Sequence, residues 1–141
     1  MPPSIKEHEV GVEGLLLVAL PARTPHLLAL RELLDSFAEG CAASSASRAT
    51  VAAALTETLC SVARHGDGQG RDDVVELLAD AEENFLDVIV RHSGAGISVL
   101  RASDGESSSY GLRLLTELAD KLSIDDRPDG RVELWMRFDI T

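Results

Sequence analysis

Apolar residues recur along this chain with two different periods, and the switches between them mark out its elements. In Ala49 to Gly66, Val51, Leu55, Leu59 and Val62 stand at i, i+4, i+8 and i+11, which at about 100° per residue gathers them into one stripe. The spacing predicts an amphipathic helix with that stripe on the core, and with Glu57, Ser61 and Arg64 stacked on a line that faces elsewhere. Ser44, Ser45 and Ser47 offer N-cap oxygens before it, and Gly66 a left-handed residue after it. The period drops to two in Arg131 to Ile140, where Val132, Leu134, Met136 and Phe138 alternate with Glu133, Trp135, Arg137 and Asp139. That alternation predicts a strand with its apolar set toward the helices and Trp135 on the opposite face, because a slip of one residue would exchange the two faces.

The remaining stretches fall between these two patterns. Residues 1–9 are polar and read as a flexible end. Val10 to Ala22 reads as a first, partly edge-like strand broken near Pro21. Thr24 is positioned to cap a helix with Pro25 at its first residue, whose leucines continue at helical spacing to Gly40. Gly66 to Asp73 reads as a flexible turn. Val74 to Ala79 and Phe85 to Arg91 read as two antiparallel strands around a polar turn, Asp80 to Asn84. Ser98 to Asp104 is ambiguous between a short strand and a loop, and Gly105 to Ser109 is loop by composition. Ser108 or Ser109 can cap a last helix running to about Lys121, with Leu112, Leu115 and Leu118 or Ala119 inward. Leu122 to Asp126 and the alternating strand are separated by the turn Arg127-Pro128-Asp129-Gly130. The expected fold is α+β: a two-layer sandwich with three main helices on one face of a mixed, mostly antiparallel sheet, one domain over residues 10–141.

Charge and composition narrow the function classes. Over 141 residues, 13 basic against 24 acidic side chains give a net charge of −11, which disfavours phosphate backbones and anionic lipid and leaves a basic protein surface as the natural partner. The apolar run Gly14 to Leu20 is too short to span a bilayer and lacks a signal peptide's basic start, so a cytoplasmic protein without membrane contact is expected. Cys41 and Cys60 form no CxxC pair, and His8, His26, His65 and His92 have no metal-ligand spacing. His65 is read as a cation complementing a helix C-terminus. Ser107 to Ser109 are read as turn residues in preference to a phosphorylation site. Gly94-Ala95-Gly96 could suggest a dinucleotide loop, but that fingerprint must open a helix, and Ile97 to Leu100 shows no helical start.

Three short motifs fall in order at telling separations: Thr56-Glu57-Thr58-Leu59-Cys60-Ser61-Val62-Ala63-Arg64-His65, then Val90-Arg91-His92-Ser93-Gly94-Ala95-Gly96, then Ser107-Ser108-Ser109-Tyr110-Gly111-Leu112. Together with the element order, they resemble the Bergerat-fold (GHKL, histidine-kinase-like) ATPase domains, in the short anti-sigma-factor serine kinase branch. The resemblance implies Mg-ATP as cofactor, Glu57 as the general base, Ser61 at the position of the magnesium ligand, and His92, Gly94, Gly96, Ser109, Gly111 and Leu112 around the nucleotide. It also implies a protein partner, a sigma factor or an anti-sigma antagonist, and leaves a homodimer open.

This chain departs from the family pattern at three of those positions. Ser61 replaces an asparagine and is a shorter, weaker neutral ligand, although hydroxyls do ligate magnesium elsewhere. His92 replaces the aspartate that accepts the adenine amino group, and losing a hydrogen bond to a charged acceptor costs about 1.5–3 kcal/mol. Ser109 places a Cβ where glycine would let backbone amides approach phosphate. The expectation is therefore an anti-sigma-factor-like regulator acting by protein binding, with ATP binding weakened or lost. The alternative is an active Mg-ATP-dependent serine/threonine-protein kinase that phosphorylates an antagonist protein.

Overall fold

The computed structural model describes residues 14–65, 73–101 and 106–141, with backbone alone at 101 and 106–110. In chain order the elements are β1 (Gly14–Pro21), α1 (Thr24–Gly40), α2 (Ser45–His65), β2 (Val74–Glu82), β3 (Phe85–His92), α3 (Ala95–Arg101), α4 (Glu106–Leu118), β4 (Lys121–Asp126) and β5 (Val132–Asp139). The strands form one sheet in the order β1-β2-β3-β5-β4, and every pairing is antiparallel. The two-layer α+β expectation holds. Among the described residues, however, the sheet is wholly antiparallel, not mixed, and a short α3 joins the three main helices.

Strands β2, β3 and β5 bury alternate residues, as a sheet covered on one side must. Val75, Leu77, Ala79 and Ala81 of β2, Leu86, Val88 and Val90 of β3, and Val132, Leu134, Met136 and Phe138 of β5 are buried against the helices. Trp135 lies on the other face, in register with Ile89 and Ser123. On α1 the buried residues are Leu27, Leu30, Leu34 and Ala38, and on α2 Val51, Leu55, Leu59 and Val62 are joined by Ala54, Thr58 and Ser61. At about 25 cal/mol per Å², the apolar area these side chains remove from water is the main term holding the two layers together.

Element boundaries differ where local chemistry outranks periodicity. Helix α2 begins at Ser45, a turn earlier than the apolar stripe, because the Ser47 amide donates to Ser44 Oγ (3.1 Å) and closes the N-terminus there. Ser47 Oγ in turn donates to the carbonyl of Asp139 (3.1 Å) and pins the start of α2 to the end of β5. Thr24 does not cap α1: it is the first helical residue, and Arg23 occupies the extended cap position without a side-chain bond, leaving Pro25 in the first turn as expected. The turn between β2 and β3 shrinks to Glu83 and Asn84, with Glu83 in the left-handed region at φ +54°, so Asp80, Ala81 and Glu82 belong to the strand.

Two regions read as loop or strand are helical. Residues 95–101 form α3, so Ser98 to Leu100 are neither strand nor loop, and α4 starts at Glu106, so Ser107 to Ser109 lie inside a helix. Ile97 and Leu100, three apart, are both buried, which is the helical spacing that a stretch with β-branched Ile97 and Val99 conceals. The readings for residues 1–13, for 66–72 and for 102–105 lie outside the described residues.

Candidate functional site

The sequence motifs converge where α2, the end of β3, α3 and α4 meet. Ser61 is 2% exposed, not turned away from the core as the polar line suggested, and its hydroxyl donates to the carbonyl of Gly96 at 2.6 Å. That contact needs glycine: a Cβ on Gly96 would lie 2.4 Å from Val62 Cα and 2.9 Å from Val62 N, distances backbone cannot relieve. Glycine therefore lets α3 lie directly on α2 at this point. Gly111 of α4 serves a similar purpose, since a Cβ there would stand 3.1 Å from Glu57 Oε2 and 3.0 Å from Leu100 Cδ2. Glu57 is thus half-buried beside the start of α4, whereas Arg64 and His65 are exposed in the last turn of α2, where a cation suits the helix C-terminus.

His92 closes the other side. It is 0% exposed, and both ring nitrogens are engaged: the Gly94 amide donates to Nδ1 at 3.2 Å, and Nε2 lies 2.5 Å from Asp73 Oδ1. A nitrogen that accepts from an amide carries no hydrogen, so Nε2 is the donor to Asp73. The pair ties the last residue of β3 and the turn that opens α3 to the residue preceding β2. Asp73 had no signal in the sequence, because it is 19 positions away from His92 in an acidic, glycine-rich stretch.

The structure therefore brings Glu57, Ser61, His92, Gly94, Gly96 and Gly111 into one neighbourhood, with Leu112 half-buried on α4. The backbone of Ser109 lies in the first turns of α4, and its side chain is outside the described set. As for Mg-ATP, the Ser61 hydroxyl gives its proton to Gly96 and keeps its lone pairs, whereas His92 could meet adenine only by giving up Asp73 or Gly94. In this arrangement His92, hydrogen-bonded at both nitrogens, does not fit the adenine end of that group. Among the described residues no group of three or more His, Cys, Asp or Glu could hold a metal ion.

Sequence and structure comparison identifies the lineage. The family described as histidine kinase-like ATPase domain matches residues 20–138. The chain belongs to that family. Among twelve matching solved chains is that of the RsbU and RsbW domains of Rv1364c from Mycobacterium tuberculosis, with a TM-score of 0.66 at 18% identity. The match covers 90% of this chain and 32% of that one, so this histidine kinase-like domain spans about a third of the solved chain's length. At that identity the likeness is one of fold. No curated protein matches by sequence. Membership also re-bases the exclusion of a dinucleotide loop: α3 does follow β3, but a Rossmann unit needs parallel neighbours and β3 has antiparallel ones on both sides.

Proposed function

We propose that this histidine kinase-like domain is an anti-sigma-factor-like regulator that acts by binding another protein, with nucleotide binding weakened or lost. The observation that carries the second half is the internal engagement of His92: the side chain at the family's adenine position is buried and hydrogen-bonded to Gly94 and Asp73. Accepting adenine at His92 would require breaking one of its bonds first, and a conformational cost of this kind subtracts directly from affinity. The histidine kinase-like family and the likeness to a chain that includes an RsbW domain support the first half. Partner choice follows from charge. A chain of net charge −11 favours a protein with a basic patch, such as a sigma factor or an anti-sigma antagonist, over DNA or RNA.

The proposed contact element is α1, with Glu32 and Glu39 exposed on its outer side. Asp35 is less free than its position in the sequence suggests, because Arg48 of α2 grips it through two hydrogen bonds of 3.1 and 2.8 Å and holds its carboxyl below the ordinary range. Two measurements test the reading. Mg-ATP at millimolar concentration should move the melting temperature by less than about 1 °C, whereas a ligand at 100 times its Kd would add about 2.7 kcal/mol and several degrees. A shift of that size would favour the active serine/threonine kinase. Charge reversal at Glu32 and Glu39 should slow association with a sigma factor or antagonist captured from the native extract and weaken its salt dependence; an unchanged rate would move the surface elsewhere.

A further inference from the structure

The outer edge of β1 is an unfinished ladder. β1 ends the strand order, and among the described residues no strand pairs with its far side. One contact fixes its hydrogen-bonding parity: the Ala22 amide donates to the carbonyl of Asp73, the residue that the β1–β2 register sets opposite it, at 2.9 Å. Residues facing each other across an antiparallel pair alternate between exchanging hydrogen bonds and making none. Leu20, Val18 and Leu16 therefore bond to Val75, Leu77 and Ala79, while Leu15, Leu17 and Ala19 aim their N–H and C=O groups away from the sheet. The two-residue turn at Glu83 and Asn84 agrees, since it makes Glu82 and Phe85 a bonded pair and leaves Val75, Leu77 and Ala79 to face β1.

Side chains along this edge are apolar and only partly covered. Leu15 is 74% and Leu17 64% exposed on the face away from the helices. On the helix side Leu16, Val18 and Leu20 stay half-buried, whereas Val75, Leu77 and Ala79 of β2 are at most 1% exposed. A neighbour is missing on one side. The Phe37 ring of α1 packs against the start of β1, 3.3 Å from where a Cβ on Gly14 would stand, and Leu33, one turn earlier on the same line of α1, is 41% exposed. β1 carries no charged residue in its eight positions, whereas the opposite edge, β4, is blunted by Lys121, Asp125 and Asp126.

We propose that the β1 edge takes a strand from a partner protein, an extended segment with apolar residues at alternate positions and a basic residue at the end that lies beside Gly14. Strand addition of this kind draws affinity from main-chain hydrogen bonds and specificity from alternate side chains. Leu15, Leu17 and Ala19 offer three outward donors and three acceptors, and Pro21, which has no N–H, ends the donor row. In an antiparallel mate, side chains opposite Leu16 and Val18 point toward Leu33 and Phe37, and those opposite Leu15 and Leu17 lie on the open face. Charge selects a partner over a second copy: exposed Glu82 and Glu83 stand at the Gly14 end of a chain of net charge −11, so a basic segment is attracted and another copy repelled. The edge rests on the protein-binding reading for its partner but uses different residues from the acidic side of α1. Each fails separately, because reversal at Glu32 and Glu39 tests α1 and the amides of β1 test the edge.

Amide hydrogen exchange on the full chain, read by NMR, is the test. In the protein alone Leu16, Val18 and Leu20 should exchange slowly, and Leu15, Leu17 and Ala19 fast. The probe is a capped nine-residue peptide of alternating Val and Thr with two Lys at its C-terminal end, the end that an antiparallel mate sets beside Gly14. At millimolar concentration it should slow exchange at Leu15, Leu17 and Ala19 by about tenfold or more. Ala19→Pro removes an outward amide that the sheet does not use, so it should keep the wild-type melting temperature and weaken the peptide about tenfold. Leu28→Glu, on the opposite side of α1 from Phe37, should leave binding unchanged. Replacing the two Lys with Glu should weaken the peptide a few-fold at low salt. A peptide that protects none of the three amides overturns the proposal, and so does protection in the protein alone: independent of concentration it means the chain's own residues cover the edge, and rising with concentration it means a second copy does. Equal binding of the Lys and Glu peptides would overturn the basic character of the partner.

Discussion

Replacing Gly96 with alanine should test the central contact of the domain. In an ordinary helix the change from glycine to alanine is favourable by up to about 1 kcal/mol, because alanine loses less backbone freedom on folding. Here the added Cβ would stand 2.4 Å from Val62 Cα and 3.0 Å from the Ser61 carbonyl oxygen, so α3 must move off α2. Overpacking of this kind costs about 1–3 kcal/mol. The displacement also stretches the 2.6 Å bond from Ser61 Oγ to the Gly96 carbonyl, worth about 1 kcal/mol. The expected loss is about 3 kcal/mol. With about 2.1 cal/mol/K of unfolding entropy per residue over 141 residues, that lowers Tm by about 10 °C. Gly40→Ala is the control: nothing lies within 4 Å of a Cβ there, at the last residue of α1, so it should be neutral or raise stability slightly. Urea denaturation of both variants and the wild type gives the comparison. A Gly96→Ala protein within 0.5 kcal/mol of wild type would show that α2 and α3 are not held at this distance in solution.

Three further outcomes follow from the same structure. His92→Asp, which restores the carboxylate typical of the family, should cost about 3 kcal/mol because it sets a second buried carboxylate against Asp73, and adding Asp73→Asn should recover much of the loss in the same urea titration. Asp129 is held at about 2, below its ordinary 3.8, by side-chain and backbone hydrogen bonds from Arg131, so its stabilising contribution is complete above pH 3.8 and lost as pH falls through about 2; a carboxyl resonance titrating near 3.8 would contradict this. Burial pushes the Cys41 thiol up while Cys60 is exposed, so a thiol reagent should modify one cysteine quickly and the other on unfolding, and Cys60→Ser should remove the fast phase.

Periodicity alone determined most of the architecture. Strict alternation in β5 assigns Trp135 and Phe138 to opposite faces, and the stripe on α2 assigns Val51, Leu55, Leu59 and Val62 to the core, because burying one face of a strand or helix is a local property of the pattern. The three motifs also come together in space, with Glu57, Ser61, His92, Gly94, Gly96 and Gly111 in one neighbourhood. What those residues do there was a tertiary matter. Ile97, Ser98 and Val99 have no strong helical preference of their own, and they become helix because Gly96 admits the backbone of α2 at a distance no other residue tolerates. The Gly96 carbonyl that accepts from Ser61 and Asp73, remote in sequence and set against Nε2 of His92, are partners that only the packing of the elements supplies. A polar side chain is defined by the partner that satisfies it once buried, and that partner is chosen by the packing of distant elements.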